Sequence, residues 1–270
     1  MINTNEKKID LKQSIDFIRI LIYAAIAGLG AGVLGTLFTF SVNYVTQLRV
    51  NHPWLIYFLP IGGIVIVLLY KLAKYKDAGT DLVINSIHSE PHLPVRIGPL
   101  IFISSVITHL FGGSAGREGA ALQIGGSVGS FISKTLRLKE EDKKTLIMAG
   151  MSGCFSALFG TPLTAAILPL EVVHVGYMQY AALLPCAIAS LVGHSVAIAM
   201  NLVEPMNHIG TVPNLDAITT IAVIGLSLLA GLVSRLFVFS LHKTHHIFAM
   251  IENAYVRAIV GACIIIVLTL

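Results

Sequence analysis

Residues 112–129 constrain this chain more than any other stretch. Gly112-Gly113-Ser114-Ala115-Gly116-Arg117-Glu118-Gly119-Ala120-Ala121-Leu122-Gln123-Ile124-Gly125-Gly126-Ser127-Val128-Gly129 sets a cation beside an anion between two apolar segments. Glycines on both sides of the charges let the backbone unwind, take positive φ and approach a bound ion before a helix restarts near Glu118. A helix beginning there offers N–H groups without intrahelical acceptors and the positive end of its dipole, an anion cradle that needs no lysine. Glu118 falls in the first turn, where its carboxylate would compete with an anion for those N–H groups. Protonation would release it, so it reads as a gate. The pair also admits a structural reading, a buried ion pair that fixes a helix break, and for Arg117 that reading carries the larger share. For Glu118 the functional reading prevails, because carboxylates inside a membrane are rare and mark ion or proton paths.

The surroundings are those of a membrane protein. Hydrophobic residues make up 55% of the chain and charged residues 12%, about half the usual charged share. Mean hydropathy is +0.82, which excludes a soluble domain. The small positive excess lies in loops, and no basic stripe with interleaved aromatics occurs, so no nucleic-acid partner is expected. No G-x-S-x-G, P-loop or dinucleotide fingerprint is present, so an enzyme is not expected either. Cys154, Cys186 and Cys263 lie in apolar segments without C-x-x-C spacing and read as small core residues. His242, His245 and His246 stand at helical spacing with no carboxylate at a suitable offset. They read as an interfacial cluster rather than a metal site. His109 reads as a pore-lining or hydrogen-bonded histidine. Neither a metal nor a cofactor is expected.

In chain order, residues 1–13 form a polar segment with no signal-peptide cleavage site, expected in the cytoplasm. A first long helix is predicted over 14–48, with Gly28, Gly30, Gly32 and Gly35 giving a face for close packing. A second span, Trp54 to Tyr70, ends at Lys71, Lys74 and Lys76. Together with Lys7, Lys8, Lys12 and Arg19 these mark the cytoplasmic side. A short amphipathic helix is predicted after Gly79, capped by Thr80 or Asp81. Further helices are expected over 95–111 and from Glu118 to about Leu136, followed by Lys139, Lys143 and Lys144. A small-residue helix, Thr145 to Phe159, breaks at Gly160-Thr161, and Pro162 restarts the chain. The remaining helices are predicted over 178–201, 217–250 and 255–270, with a loop free of lysine and arginine, Val203 to Asp216, on the outer side.

The stretch Gly116-Arg117-Glu118-Gly119 and the residues to Gly129 resemble the GREGPxxQIGxxxG motif of the CLC chloride channels and transporters. Gly150 to Glu171 is similar to a later segment of that family, AAGxAAGxAAxFxAPLxGxLFxxE, in the same order and at about the same spacing. The resemblance runs from about residue 17 to the end. It implies an all-α polytopic membrane fold of broken, tilted helices built as an inverted repeat. The first repeat would cover 14–216, and 217–270 would begin a second, truncated one; the Gly-containing helix and shorter partner at 15–70 recur weakly at 217–270, with Gly225 and Gly231 echoing the earlier glycines.

The resemblance further implies chloride or fluoride as substrate, protons as coupled ion, Glu118 as gate and proton carrier, and a homodimer in the cell membrane. It assigns anion contacts to Gly116, Arg117, Gly119 and Ala120. Counted back from the central motif, the family's GSGIPE loop falls on Gly79 and Thr80, with its serine and proline absent here; Thr80 alone reads equally well as an ordinary N-cap. The family's exchangers carry two adjacent glutamates where this chain has Glu171-Val172, so the inner proton station is expected to be missing. The second-half GxFxP loop and tyrosine are also absent. Three functions are therefore left open: proton-coupled halide exchange, with the fluoride branch included; a passive anion channel; and a non-conducting fragment that needs a separate second half.

Overall fold

The computed structural model describes residues 4–74, 94–173, 179–202, 214 and 216–270, with side chains from residue 14 onward. Among the described residues the secondary structure is helical, without strands. Helix α1 covers Thr4–Asn51, beginning ten residues earlier than the apolar pattern alone indicates. A 3-10 turn, Pro53–Phe58, leads into α2, Leu59–Leu72. Then come α3, Ile97–Leu110; α4, Glu118–Thr135; α5, Glu140–Phe159; and α6, Pro162–Val173. A second 3-10 turn, Tyr180–Ala182, precedes α7, Leu183–Ala199, followed by α8, Ala217–Ala249, and α9, Ala254–Thr269. The helix predicted near Gly79 and Thr80 lies outside the described residues.

Among the described residues, four segments are long and apolar enough to cross a membrane: Ser14–Asn51, Pro53–Leu72, Tyr180–Ala199 and Ala217–Ala249. The first holds 38 residues, a length of about 57 Å at 1.5 Å per residue. That is nearly twice a hydrocarbon core of about 30 Å, so it must tilt strongly or project beyond it. The shorter apolar helices α3, α6 and α9 accompany them; α3 and α6 each bury five residues in the bundle, whereas α9 buries only Ala262.

The centre of the bundle is α5, which packs against α1, α4, α6 and α7. From Leu146 to Leu158 all its side chains but Phe155 are buried. Hydropathy alone does not single it out, because beside Leu146, Ile147, Met148, Met151 and Leu158 its interior carries glycine, alanine, serine and cysteine. Those residues let backbones meet. A Cβ on Gly125 of α4 would collide with the Gly150 carbonyl of α5 and lie 2.7 Å from the Cys154 Cβ. Gly28, Gly32 and Gly35 of α1 face Ala189, Gly193 and Cys154 in the same way, so three of the four glycines singled out in α1 form one contact face. Thr36 and Thr39 on this face return their hydroxyls to the Gly32 and Gly35 carbonyls, 2.8 and 3.1 Å away, leaving no polar group for a neighbouring helix to satisfy.

Arg19 of α1 reaches Asp142 at the start of α5, 3.9 Å away. This brings Arg19 and the basic residues between α4 and α5, Arg137 and Lys139, to one end of the bundle. By contrast α8 buries no residue, and among the described residues nothing lies within 4 Å of a Cβ built on Gly225 or Gly231. Its partner α9 packs on α2, where Ala258 meets the position of a Gly63 Cβ at 3.2 Å.

Candidate functional site: the helix start at Glu118

Helix α3 ends at Leu110, and the chain turns through Gly112 in the left-handed region, at φ +76°. A Cβ there would also meet Arg49 Cδ at 3.0 Å, so glycine serves both the turn and the packing. Residues 113–116 carry no regular structure, and α4 opens at Glu118, the predicted residue. The first bond closing the helix is Ala121 N–H donating to the Arg117 carbonyl at 2.9 Å. The N–H groups of Glu118, Gly119 and Ala120 therefore have no intrahelical acceptor, and no side chain caps them. This is the geometry that binds anions.

Glu118 is exposed in this chain, and its carboxylate turns back along the loop. Oε2 lies 2.7 Å from where a Gly116 Cβ would stand. The carboxylate thus covers the bare backbone of Gly116, next to the unpaired N–H groups. Arg117 departs from the structural expectation: among the described residues no ion pair involves it. Its guanidinium lies over the Phe159 ring instead, 5.8 Å from the centroid. The α5 C-terminus brings that ring to the loop, and a delocalised cation over an aromatic face is a favourable contact. Freed from Arg117, Glu118 is available for another role.

Gly160 ends α5 in the left-handed region at φ +64°, and Pro162 opens α6, as the sequence indicates. Glu171 in α6 is exposed, and Val172 packs against the apolar core. His109 Nδ1 donates to the Ser105 carbonyl at 2.7 Å, the hydrogen-bonded alternative for this residue. His242 Nδ1 donates to the Val238 carbonyl at 2.9 Å, a bond within its own helix. Gly119 and Ala120 sit in the first turn of α4 beside Glu118; the structure describes neither Gly79 nor Thr80 and so does not place them against this turn. Sequence reasoning missed Gln123, whose Oε1 is buried without a hydrogen-bond partner among the described residues, about one turn into α4 from the site. A glutamine inside an apolar helix was the available signal.

Residues 61–270 match the family described as "Voltage gated chloride channel". A "Chloride/fluoride channel protein" of Pseudomonas syringae pv. tomato (strain ATCC BAA-871 / DC3000) is 39% identical over 225 residues, covering 83% of this chain and 50% of that protein. An "H(+)/Cl(-) exchange transporter ClcA" of Vibrio cholerae serotype O1 is 26% identical over 234 residues, covering 81% of this chain and 49% of the relative. Among solved structures, a "CLC-type fluoride/proton antiporter" superposes with a TM-score of 0.88 at 29% identity, over 92% of this chain and 64% of that one. The chain spans about half the length of the curated relatives it matches. With a matched region of this extent, an all-helical bundle and a glycine-flanked helix start at Glu118, the chain belongs to the voltage gated chloride channel family.

Proposed function

We propose that this chain carries the anion-binding and gating half of a chloride or fluoride transporter, with Glu118 as the protonatable gate. The observation behind this reading is the Glu118 carboxylate folded over Gly116 at the open start of α4. A halide entering the cradle of Gly116, Arg117, Gly119 and Ala120 would displace the ionised carboxylate, because both need the same N–H groups. A proton on Glu118 removes the competition, so anion entry and proton uptake are linked. The likeness to a fluoride/proton antiporter and to chloride exchangers supports proton linkage and either halide. Gly79 and Thr80 would supply the inner end of the path. The protein would work in the cell membrane as a homodimer, its basic end and N-terminus facing the cytoplasm.

Two observations favour other readings. Val172, packed into the apolar core where an exchanger would carry a second glutamate, favours a passive channel. Helix α8, with no buried residue, favours a fragment that conducts only beside a separate second half. Reconstitution in liposomes separates all three. Anion efflux that drives proton movement supports exchange, and efflux without it supports a channel. Silence that ends when a second-half polypeptide is added supports the fragment. In the exchange case Glu118→Gln abolishes proton coupling while anion flux continues; coupling retained in that variant overturns the gate.

A further inference from the structure

Helices α1, α3 and α4 enclose a crevice of about 760 Å³. Gly30 and Leu34 line it from α1, Pro99 and Ile103 from α3, Ser127 and Phe131 from α4. Its volume falls within the range of about 300–1,000 Å³ usual for small-molecule sites. Nothing polar is on offer inside: Ser127, the sole hydroxyl in the lining, donates to the Gln123 carbonyl at 2.8 Å. Gly30 makes the room. The other clustered α1 glycines are pressed against helices, whereas at Gly30 a Cβ would meet only the Val128 Cγ1, at 3.2 Å.

One end of the crevice is charged. Arg96, the residue before α3, stands three positions before the lining Pro99, and Lys134 stands three positions after the lining Phe131. Residues at that spacing share a helix face. Both cations are exposed, and among the described residues neither has a carboxylate within ion-pair distance. From that end the lining runs from Val95, two residues before α3, to Ile103 within it, about 12 Å at 1.5 Å per residue. One leaflet of hydrocarbon is about 15 Å deep, so the crevice reaches from a headgroup level toward the bilayer centre.

We infer that this crevice binds an anionic phospholipid of the leaflet at the basic end, one acyl chain against α1, α3 and α4 and its phosphate between Arg96 and Lys134. Apolar walls with no free donor or acceptor reject a polar solute and water alike. A side chain inserted by another protein would meet the same walls but would leave the two cations without a role. Two cations at an anionic headgroup are worth about thirtyfold in affinity, which sets the expected preference for a charged over a zwitterionic lipid with the same tails.

The test places a reporter in the crevice. In a Trp54→Phe background, Leu34→Trp puts the sole tryptophan in the lining, and Leu29→Trp puts it at an exposed α1 position outside the lining, about 7.5 Å away along the helix; comparing two headgroups on the same brominated tails at each position removes the effect of depth. The protein is reconstituted in phosphatidylcholine with a minor fraction of brominated phosphatidylglycerol or brominated phosphatidylcholine. The inference expects the tryptophan at position 34 to be quenched at much lower levels of the anionic lipid, by about thirtyfold, and the tryptophan at position 29 to show no preference. Arg96→Gln with Lys134→Gln should abolish the preference at position 34. Equal quenching by the two lipids there, or a preference that survives the double substitution, overturns the inference. Native mass spectrometry of the protein without the tryptophan changes gives a second measurement. It should retain phosphatidylglycerol through delipidation and lose it in the Arg96→Gln/Lys134→Gln variant; retention indifferent to headgroup overturns the site independently.

Discussion

Gly125→Ala tests whether the bundle is held by backbone contact between α4 and α5. The added methyl would stand 2.7 Å from the Cys154 Cβ and against the Gly150 carbonyl, where carbon atoms prefer about 3.5–4.0 Å. The helices must part by about 1 Å. Overpacking of this kind costs about 1–3 kcal/mol, while alanine gains about 1 kcal/mol over glycine in helix propensity. Gly225→Ala in α8 takes the same propensity gain with nothing within 4 Å, so subtracting one variant from the other isolates the packing term. Thermal denaturation in detergent, followed by loss of the monodisperse peak, measures both. At about 2–4 °C per kcal/mol for a chain of this size, Gly125→Ala should melt about 6 °C below Gly225→Ala at the middle of that range. Equal midpoints for the two variants, or a larger loss in Gly225→Ala, would refute the account of α4 and α5 as backbone-packed.

Gly116→Ala puts a methyl where the Glu118 carboxylate rests, 2.7 Å from Oε2; anion efflux from liposomes should become less dependent on acid, and an unchanged pH profile counts against the resting position. Gly160→Ala forces a side chain into the left-handed region at φ +64° and should lower stability by about 1–2 kcal/mol, read in the same melting assay. Asp216 accepts the Thr219 N–H at 2.7 Å at the start of α8, which holds its carboxyl below the usual aspartate range. The stabilisation from this cap is therefore fully present above the ordinary aspartate pKa and fades as pH falls through the lowered folded value. Protection of the Thr219 amide, its exchange measured against the intrinsic rate at each pH, should fall over that acid window, and Asp216→Asn should flatten the response. Of the three cysteines, Cys263 is exposed while Cys154 and Cys186 are buried; a small thiol reagent in detergent should label one site per folded chain and three after denaturation, by intact mass.

Local signals made much of this legible. Glu118, Pro162, Ala217 and the left-handed Gly160 mark helix boundaries that follow from glycine, proline and the length of apolar runs, all properties of a few neighbouring residues. The glycine face of α1 was readable for the same reason, since i, i+4 spacing puts Gly28 and Gly32 on one side whatever they meet. The two glycine-flanked segments carried the family likeness without any knowledge of packing.

Sequence by itself determined that the chain is a membrane-embedded helical bundle with a broken helix starting at Glu118, because hydropathy and backbone freedom are local. Only the tertiary structure decided what each surface meets. It put α5 at the centre despite its modest hydropathy, since small residues gain from contact with other backbones rather than from leaving water. It turned Arg117 to the Phe159 ring and so released Glu118 from an ion pair, because the end of α5 arrives there from about forty residues away. Among the described residues it left nothing within 4 Å of a Cβ on Gly225 or Gly231, while Gly28, Gly32 and Gly35 of α1 are buried. Pairing of surfaces depends on which helices become neighbours in space, and no window along the chain contains that information.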